Sequence, residues 1–475
     1  MAYRKIKEYK GNKYVYELTS YRCKETKKIK RREIYLGICV DEATKEYAAK
    51  KSKVVSLESS INKRVVNYGD SFLLDSCLKN SNLFELVNNL LPKESDIVKA
   101  TLFYKIIDGS AFTHYNSWFS SNYVNVLFPN ANCSSQRISE ILNKLGNEMV
   151  QRAFFKAFIA NVANISNDVV IDSTGLDNEI DIPLTAYSGK ESITETRLIL
   201  VLDTATKMPL YFRLVAGNIN DVSTLGTTLK LAGQFGLNPT MVLLDAGYYS
   251  FKNIRFLYQS KIDFLTRLPK SRKLYNELIG KTNYTLEKSK NTIIYNKRSL
   301  YIEMQKVDLD GYVGYAYVCK DIKEAGKKQD KFLRQAKEDK LTDDEIDKEL
   351  SCIGKFILVS NKNLDVSEIL PLYYTRQTAE NAFGKLKSNL DLLPLRVHSI
   401  QSLKGYTFLC YIALLLTIEI QNKLQNLCSL EESLKIAKGQ FAEIFDNEII
   451  TTEPNRRLKE IYERLGIVGG INLGI

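Results

Sequence analysis

The stretch Pro371–Leu390, PLYYTRQTAENAFGKLKSNL, constrains the fold of this chain more than any other. Asp365 or Ser367 can cap a helix start, Pro371 is tolerated only near that start, and neither Gly nor Pro follows until Gly384. At about 100° per residue along a helix, Tyr373, Arg376, Glu380 and Lys387 fall within an arc of roughly 60°. Leu372, Ala379, Ala382, Phe383, Leu386 and Leu390 form an apolar stripe beside that arc, the usual buried face of an amphipathic helix. An acid flanked by two cations and a phenol therefore borders the core. The bland alternative is a solvated face carrying an Arg–Glu pair at i, i+4.

A chain of 475 residues exceeds one simple domain. Its 44% hydrophobic and 26% charged residues describe a globular protein able to bury a sizeable core. Lys and Arg total 67 against 55 acids, a net +12 that suits a polyanionic partner without requiring one. The eight cysteines form no CxxC pair and no metal-like spacing, which fits free thiols in a reducing cytoplasm. With only two histidines, a His-rich zinc site is excluded. The amino terminus has no apolar core of a signal peptide. The run Gly405–Ile418 is shorter than the ~20 residues needed to span a bilayer, so a buried core helix is expected and no membrane.

Four regions follow from the texture of the chain. Residues 1–60 read as a basic β-hairpin unit, with strands over 12–22 and 32–40 joined by the cationic CKETKKIKRR. That basic connection suits phosphate tracking or a solvated turn equally. Residues 61–165 are helical. Within them, Ser134–Lys144 reads as a packing helix in preference to a recognition helix, and Trp118 as part of a helical core or an interdomain contact. Residues 166–440 alternate strands and helices as a mixed α/β sheet, interrupted over about 271–354 by a β-rich insertion with a highly charged helix. Residues 441–475 read as a helical tail with a loose Gly-rich end.

Two acids close apolar strands in the sheet region: Asp172 after Val169–Ile171, and Asp245 after Val242–Leu244. Strand ends open into the crevice where side chains of an α/β sheet converge. With Glu380 from the helix edge, three carboxylates can meet, and clustered carboxylates stay ionised together only beside cations. Oxygen-only ligation selects Mg²⁺ or Mn²⁺, two of which can stabilise the attacking and leaving oxygens of a phosphodiester. Each acid has a structural alternative as a turn former or cap. Asp203 is read as a hairpin-turn residue and Asp221 as a helix cap.

These residues together resemble the DDE-class insertion-sequence transposases of the RNase H-like superfamily, in the group with a Tyr-x2-Arg-x3-Glu-x6-Lys signature. Tyr373, Arg376, Glu380 and Lys387 match all four positions, and VVIDSTG and VLLDAGYYS resemble the contexts of the first two aspartates. The resemblance covers roughly 167–420. It implies an RNase H-like catalytic domain in which Asp172, Asp245 and Glu380 are catalytic and bind two Mg²⁺ (or Mn²⁺). It implies that Arg376 and Lys387 grip phosphates and that Tyr373 positions a phosphate or stacks near the end base pair. Arg267 and Lys270 are further expected DNA contacts. The implied partner is double-stranded DNA, at the element's terminal inverted repeats and at the target, bound by a homodimer in a synaptic complex in the cytoplasm. The implied reaction is cleavage at the element ends and joining of the 3′-hydroxyls to target DNA. Two other readings stay open: a catalytically silent transposase-derived DNA-binding protein, and a metal-dependent nuclease or resolvase.

Overall fold

The computed structural model describes residues 2–9, 12–22, 29–49, 64–162, 164–187, 194–339, 341–445, 448–468 and 472–474. They divide into two compact units, one of Met1–Arg64 with Glu443–Ile450 and Asn472–Ile475, the other of Val65–Ala442 with Thr451–Ile471.

The first unit is built on an antiparallel sheet of β1 (Ala2–Tyr9), β2 (Asn12–Arg22), β3 (Ile29–Asp41) and β4 (Glu46–Ala49), in that order. The expected hairpin is thus its central pair, extended on both sides because β1 and β4 also alternate. Residues 23–28 of the basic connection lie outside the described residues. The C-terminal region departs from the helical tail expected of it. It forms strands Phe441–Ile444 and Glu448–Thr451, a helix Arg456–Leu465 and a short strand Asn472–Gly474, with 469–471 of the Gly-rich end not described.

In the second unit, a short strand β5 (Arg64–Asn67) precedes a helical region and then the main sheet. That sheet contains β6 (Asp168–Asp177), β7 (Ala186–Tyr187), β8 (Thr194–Asp203), β9 (Pro209–Ala216), β10 (Met241–Leu244), β11 (Asp263–Arg267), β12 (Thr292–Tyr295), β13 (Arg298–Asp308), β14 (Val313–Asp321) and β15 (Lys355–Ser360). Its order is β12-β13-β14-β15-β11-β10-β6-β8-β7, with β9 also paired to β8. The segment β9-β8-β6-β10-β11, in which β8 runs antiparallel to both neighbours and β6, β10 and β11 are parallel, is the RNase H-like arrangement. Val169, Val170 and Ile171 of β6 and all four residues of β10 are buried, as interior strands covered on both faces require. The insertion strands β13 and β14 continue the same sheet through β15. Its charged region is two helices, Ile322–Glu338 and Asp343–Cys352, because Thr342 and Glu345 form a capping box that starts a new helix.

Helix Ile400–Leu424 runs through the core, with every residue from Gly405 to Ile418 buried. Helix Ser135–Leu145 packs on it through Ile138, Ile141, Leu142 and Leu145, all buried, and so is a packing helix. The two backbones touch where glycines face each other. A Cβ on Gly405 would lie 1.8 Å from the Leu142 carbonyl oxygen, and one on Gly146 would lie 1.9 Å from that of Gln401. Trp118 packs edge-on against Tyr104, 5.1 Å between centroids, inside the helical region.

The signature stretch is not one straight helix. Asp365 caps Val366–Tyr374 by accepting the Ser367 N–H at 2.8 Å. Pro371 sits inside that helix and has no N–H to donate, and the turn loosens to i→i+3 bonds at Arg376 before Gln377–Gly384 resumes. Lys385–Asn389 then widens into a π-helical turn. Gly405→Ala should lower unfolding free energy by about 3 kcal/mol, since neither backbone can yield to the added methyl. Urea denaturation of the purified chain measures it.

Candidate active site

The sheet register brings the first two acids together. Ile171 of β6 lies opposite Leu244 of β10 in a parallel pair, so Asp172 and Asp245 project from adjacent strands at one level. Asp172 is within β6 and 8% exposed, while Asp245 begins the turn beyond β10 with its side chain 41% exposed. Glu380 reaches the same place from helix Gln377–Gly384, which packs on β6 and β8.

Arg376 joins all three. Its Nη1 donates to Asp172 Oδ2 at 3.0 Å and lies 3.9 Å from Asp245 Oδ1, while Nη2 donates to Glu380 Oε1 at 2.9 Å. Burial pushes the Asp172 carboxyl up to about 6; Arg376 and the Ser173 N–H oppose that shift, and Asp245 and Asp221 add to it. Burial acts to lower the Arg376 pKa, but Asp245, Asp172, Tyr373 and Glu380 overcome it and raise it.

Lys387 projects from the π-helical turn, and its ammonium donates to Thr174 Oγ1 and the Gly175 carbonyl, each at 2.7 Å. It is therefore fastened to β6, two and three residues past Asp172. Tyr373 is buried instead of bordering a groove. Its ring lies against Phe356, and the Arg376 guanidinium carbon is 5.9 Å from its centroid. Burial raises its phenol pKa, with Arg376 and Arg267 opposing. Arg267 lies over the Phe356 ring at 5.6 Å, close to Tyr373. Lys270 is exposed and makes a loose 3.5 Å pair with Glu349.

A second polar layer lies behind Asp172, and the sequence reading missed it. Asp221 was expected to cap a helix. The cap position belongs to Asn220, and the Asp221 carboxylate instead accepts from Ser173 Oγ at 2.5 Å and Arg197 Nη1 at 3.2 Å. Its other oxygen faces Gly247, where a Cβ would stand only 3.1 Å away. Asp221 thus touches the residue after Asp172 and the turn after Asp245. Arg197 also pairs with Glu195 at 3.0 Å, and the buried Tyr248 hydroxyl lies among Ser173, Thr224 and Asp221. The available signal was Arg197 itself, a charge at the head of the otherwise apolar strand TRLILVLDT. Asp203 is a turn residue as read: its carboxylate accepts from Ser166 and Thr206.

The donor set at the convergence is oxygen only, which suits a hard divalent cation. Among the described residues no group of acids, histidines or cysteines is closed up as a metal cage, because Arg376 stands between the carboxylates. Three acids drawn around one positive charge, the most buried of them with its carboxyl pushed up by burial, fit additional cationic charge at the same point.

A family profile described as the transposase DDE domain matches residues 166–416, more than half of the chain. The chain belongs to the transposase DDE domain family. The match covers β6, β10, the signature helix and most of helix Ile400–Leu424, so all three acids lie inside the transposase domain. The chain is also similar to the piggyBac transposase in a cryo-EM synaptic complex with hairpin DNA. The two share 11% identity over 78% of this chain and 79% of that one, with a TM-score of 0.43. No curated protein matches the chain. Asp221→Ala in this transposase should cost on the order of 2 kcal/mol, because Ser173 and Arg197 lose a charged acceptor. Asp221→Asn, which retains an acceptor for Ser173, should cost less, as read by chemical denaturation.

Proposed function

We propose that this transposase cuts DNA at the ends of an insertion sequence and joins the freed 3′-hydroxyls to target DNA, using Asp172, Asp245 and Glu380 with two divalent ions, Mg²⁺ or Mn²⁺. The observation that carries this reading is that these acids, distant in the chain, lie within 4 Å of one guanidinium. When bound, the ions supply charge that stabilises the attacking and leaving oxygens of a phosphodiester. Asp172, buried on an interior strand, provides the fixed ligand position, and the more exposed Asp245 and Glu380 face the DNA. Arg376 holds the three acids together and carries a planar fork of the kind that can pair a phosphate. Lys387 keeps β6 in register with the signature helix and presents a point charge to the backbone beside the scissile bond. Tyr373 backs Arg376 with its ring face. Arg267 and Lys270 extend the cationic surface along the strand. The chain works as a homodimer in a synaptic complex on double-stranded DNA in the cytoplasm, with the helical region 61–165 contributing DNA binding or dimerisation.

The carboxylate convergence favours an active enzyme over a silent DNA-binding derivative, since a binding role needs no cluster of acids facing a polyanion. Asp245→Ala should abolish Mg²⁺-dependent nicking of DNA carrying the gene's flanks while binding in EDTA changes less than about twofold. Retained nicking would remove Asp245 from the site, and nicking of four-way junctions regardless of sequence would favour a resolvase. Lys387→Ala should weaken DNA binding and reduce the salt slope, log K against log[salt], by about 0.9, the release of one counterion. Anisotropy titrations at several salt concentrations test it.

A further inference from the structure

The pairing of β6 with β10 ends at Ile171 and Leu244. It sets the level of Asp172 and Asp245 and leaves the course of the chain beyond them to other contacts. Both oxygens of Asp172 are held: Oδ1 accepts the Ser173 N–H at 2.9 Å, and Oδ2 accepts from Arg376. The Asp245 carbonyl accepts from Thr266 Oγ1 and from the Tyr248 N–H, each at 3.1 Å.

The first turn of helix Asp221–Gln234 reaches the chain beyond both aspartates. Toward β6, Ser173 Oγ donates to Asp221 Oδ1 at 2.5 Å. Arg197 Nη1 donates to that serine oxygen and to Asp221 Oδ1, each at 3.2 Å, so the Ser173 hydroxyl is held from two sides. Toward β10, the buried Asn253 donates from Nδ2 to the carbonyls of Val222 and Tyr248, both at 2.8 Å. That bond pair ties the helix start to the turn Ala246–Tyr248, directly after Asp245. The helix start is therefore a bracket, with one arm on the residue after Asp172 and the other on the turn after Asp245.

Asp221 is not placed as a fourth ligand. Arg197 Nη1 answers its two oxygens at 3.2 and 3.4 Å, and Arg197 is itself paired with Glu195. Its side chain is 20% exposed, against 41% for Asp245 and 54% for Glu380. A carboxylate committed in this way acts through what it holds, as do the groups that orient metal ligands from behind.

We propose that Asp221 is a positioning residue for the acid site. Through Ser173 it fixes the Asp172 carboxylate relative to the turn after Asp245, and so sets how tightly the site takes divalent ions. This rests on the reading of Asp172, Asp245 and Glu380 as ligands of such ions, and adds to it a residue that touches neither ion nor DNA.

The test uses the full chain and two readouts. One is the Mg²⁺ concentration that half-saturates nicking of duplex carrying the gene's flanks. The other is Mn²⁺ binding without DNA, read as loss of the free ion's electron paramagnetic resonance signal. Asp221→Ala and Ser173→Ala should each weaken Mn²⁺ binding and raise the half-saturating Mg²⁺ about tenfold, with the nicking rate at saturating Mg²⁺ kept within about twofold. A change in fold stability alone would lower the active fraction at every Mg²⁺ concentration and leave half-saturation unmoved. The double variant should bind Mn²⁺ no more weakly than Asp221→Ala, because both changes break one connection. Asp221→Asn, which keeps an acceptor for Ser173, should recover most of the loss. Ser173→Ala keeps the Asp221–Arg197 pair and decides the matter if Asp221→Ala does not fold. If wild type binds Mn²⁺ and nicks, and Ser173→Ala matches it in both readouts, the positioning role is overturned and the acid site stands. Additive losses in the double variant, or an Asp221→Asn as poor as Asp221→Ala, also overturn it. If wild type neither binds Mn²⁺ nor nicks with Mg²⁺, the metal reading and this role fall together.

Discussion

One guanidinium sets the geometry on which everything else here depends. Three carboxylates brought close in a partly desolvated cleft repel one another, and without a positive charge between them the cleft would open or its acids would take up protons. Arg376 supplies that charge from the helix that also carries Glu380, one turn away, so the same short element brings the third acid and the means of tolerating it. The signature stretch is interrupted between helices Val366–Tyr374 and Gln377–Gly384, and Lys387 reaches the backbone of β6 from the widened turn at Lys385–Asn389.

Behind this cluster the protein repeats the device. Asp221, Arg197 and Glu195 form a second alternation of charge, joined to the first through Ser173. Asp172 is thereby flanked on one side by a cation that faces the cleft and on the other by a neutralised layer that fixes its strand. A carboxylate so placed is rigid, buried and still short of positive charge, which suits a group that receives divalent ions. Charge on the chain as a whole is arranged differently: residues 1–64 hold +10 of its net +12, and the three acids lie in the part that matches the transposase DDE domain.

Much of this was legible from residue order. Apolar runs ending in Asp172 and Asp245 read as interior strands because a parallel strand covered on both faces needs every position apolar. Helix Ile400–Leu424 read as core because its apolar run is too short for a bilayer. The stripe of Leu372, Ala379, Ala382, Phe383, Leu386 and Leu390 read as buried because its spacing matches a helix turn, and all of these side chains are buried except Leu372, which is half-buried. The spacing of Tyr373, Arg376, Glu380 and Lys387 carried the family, which the transposase domain match bears out.

By itself the sequence determined which strands lie inside and which helix face is apolar, because these follow from local periodicity and from the exclusion of charge from the core; Asp245 closes β10 as expected, whereas β6 runs on past Asp172 to Asp177. Only the tertiary structure decided that Arg376 sits among three acids, that Tyr373 is buried, that Asp221 turns toward Ser173 and Arg197 and not toward its own helix, and that the insertion strands extend the main sheet. Those outcomes depend on contacts between residues tens to hundreds of positions apart. A carboxylate has the same local preferences whether it caps a helix or answers a distant arginine, and only the packed chain chooses between them.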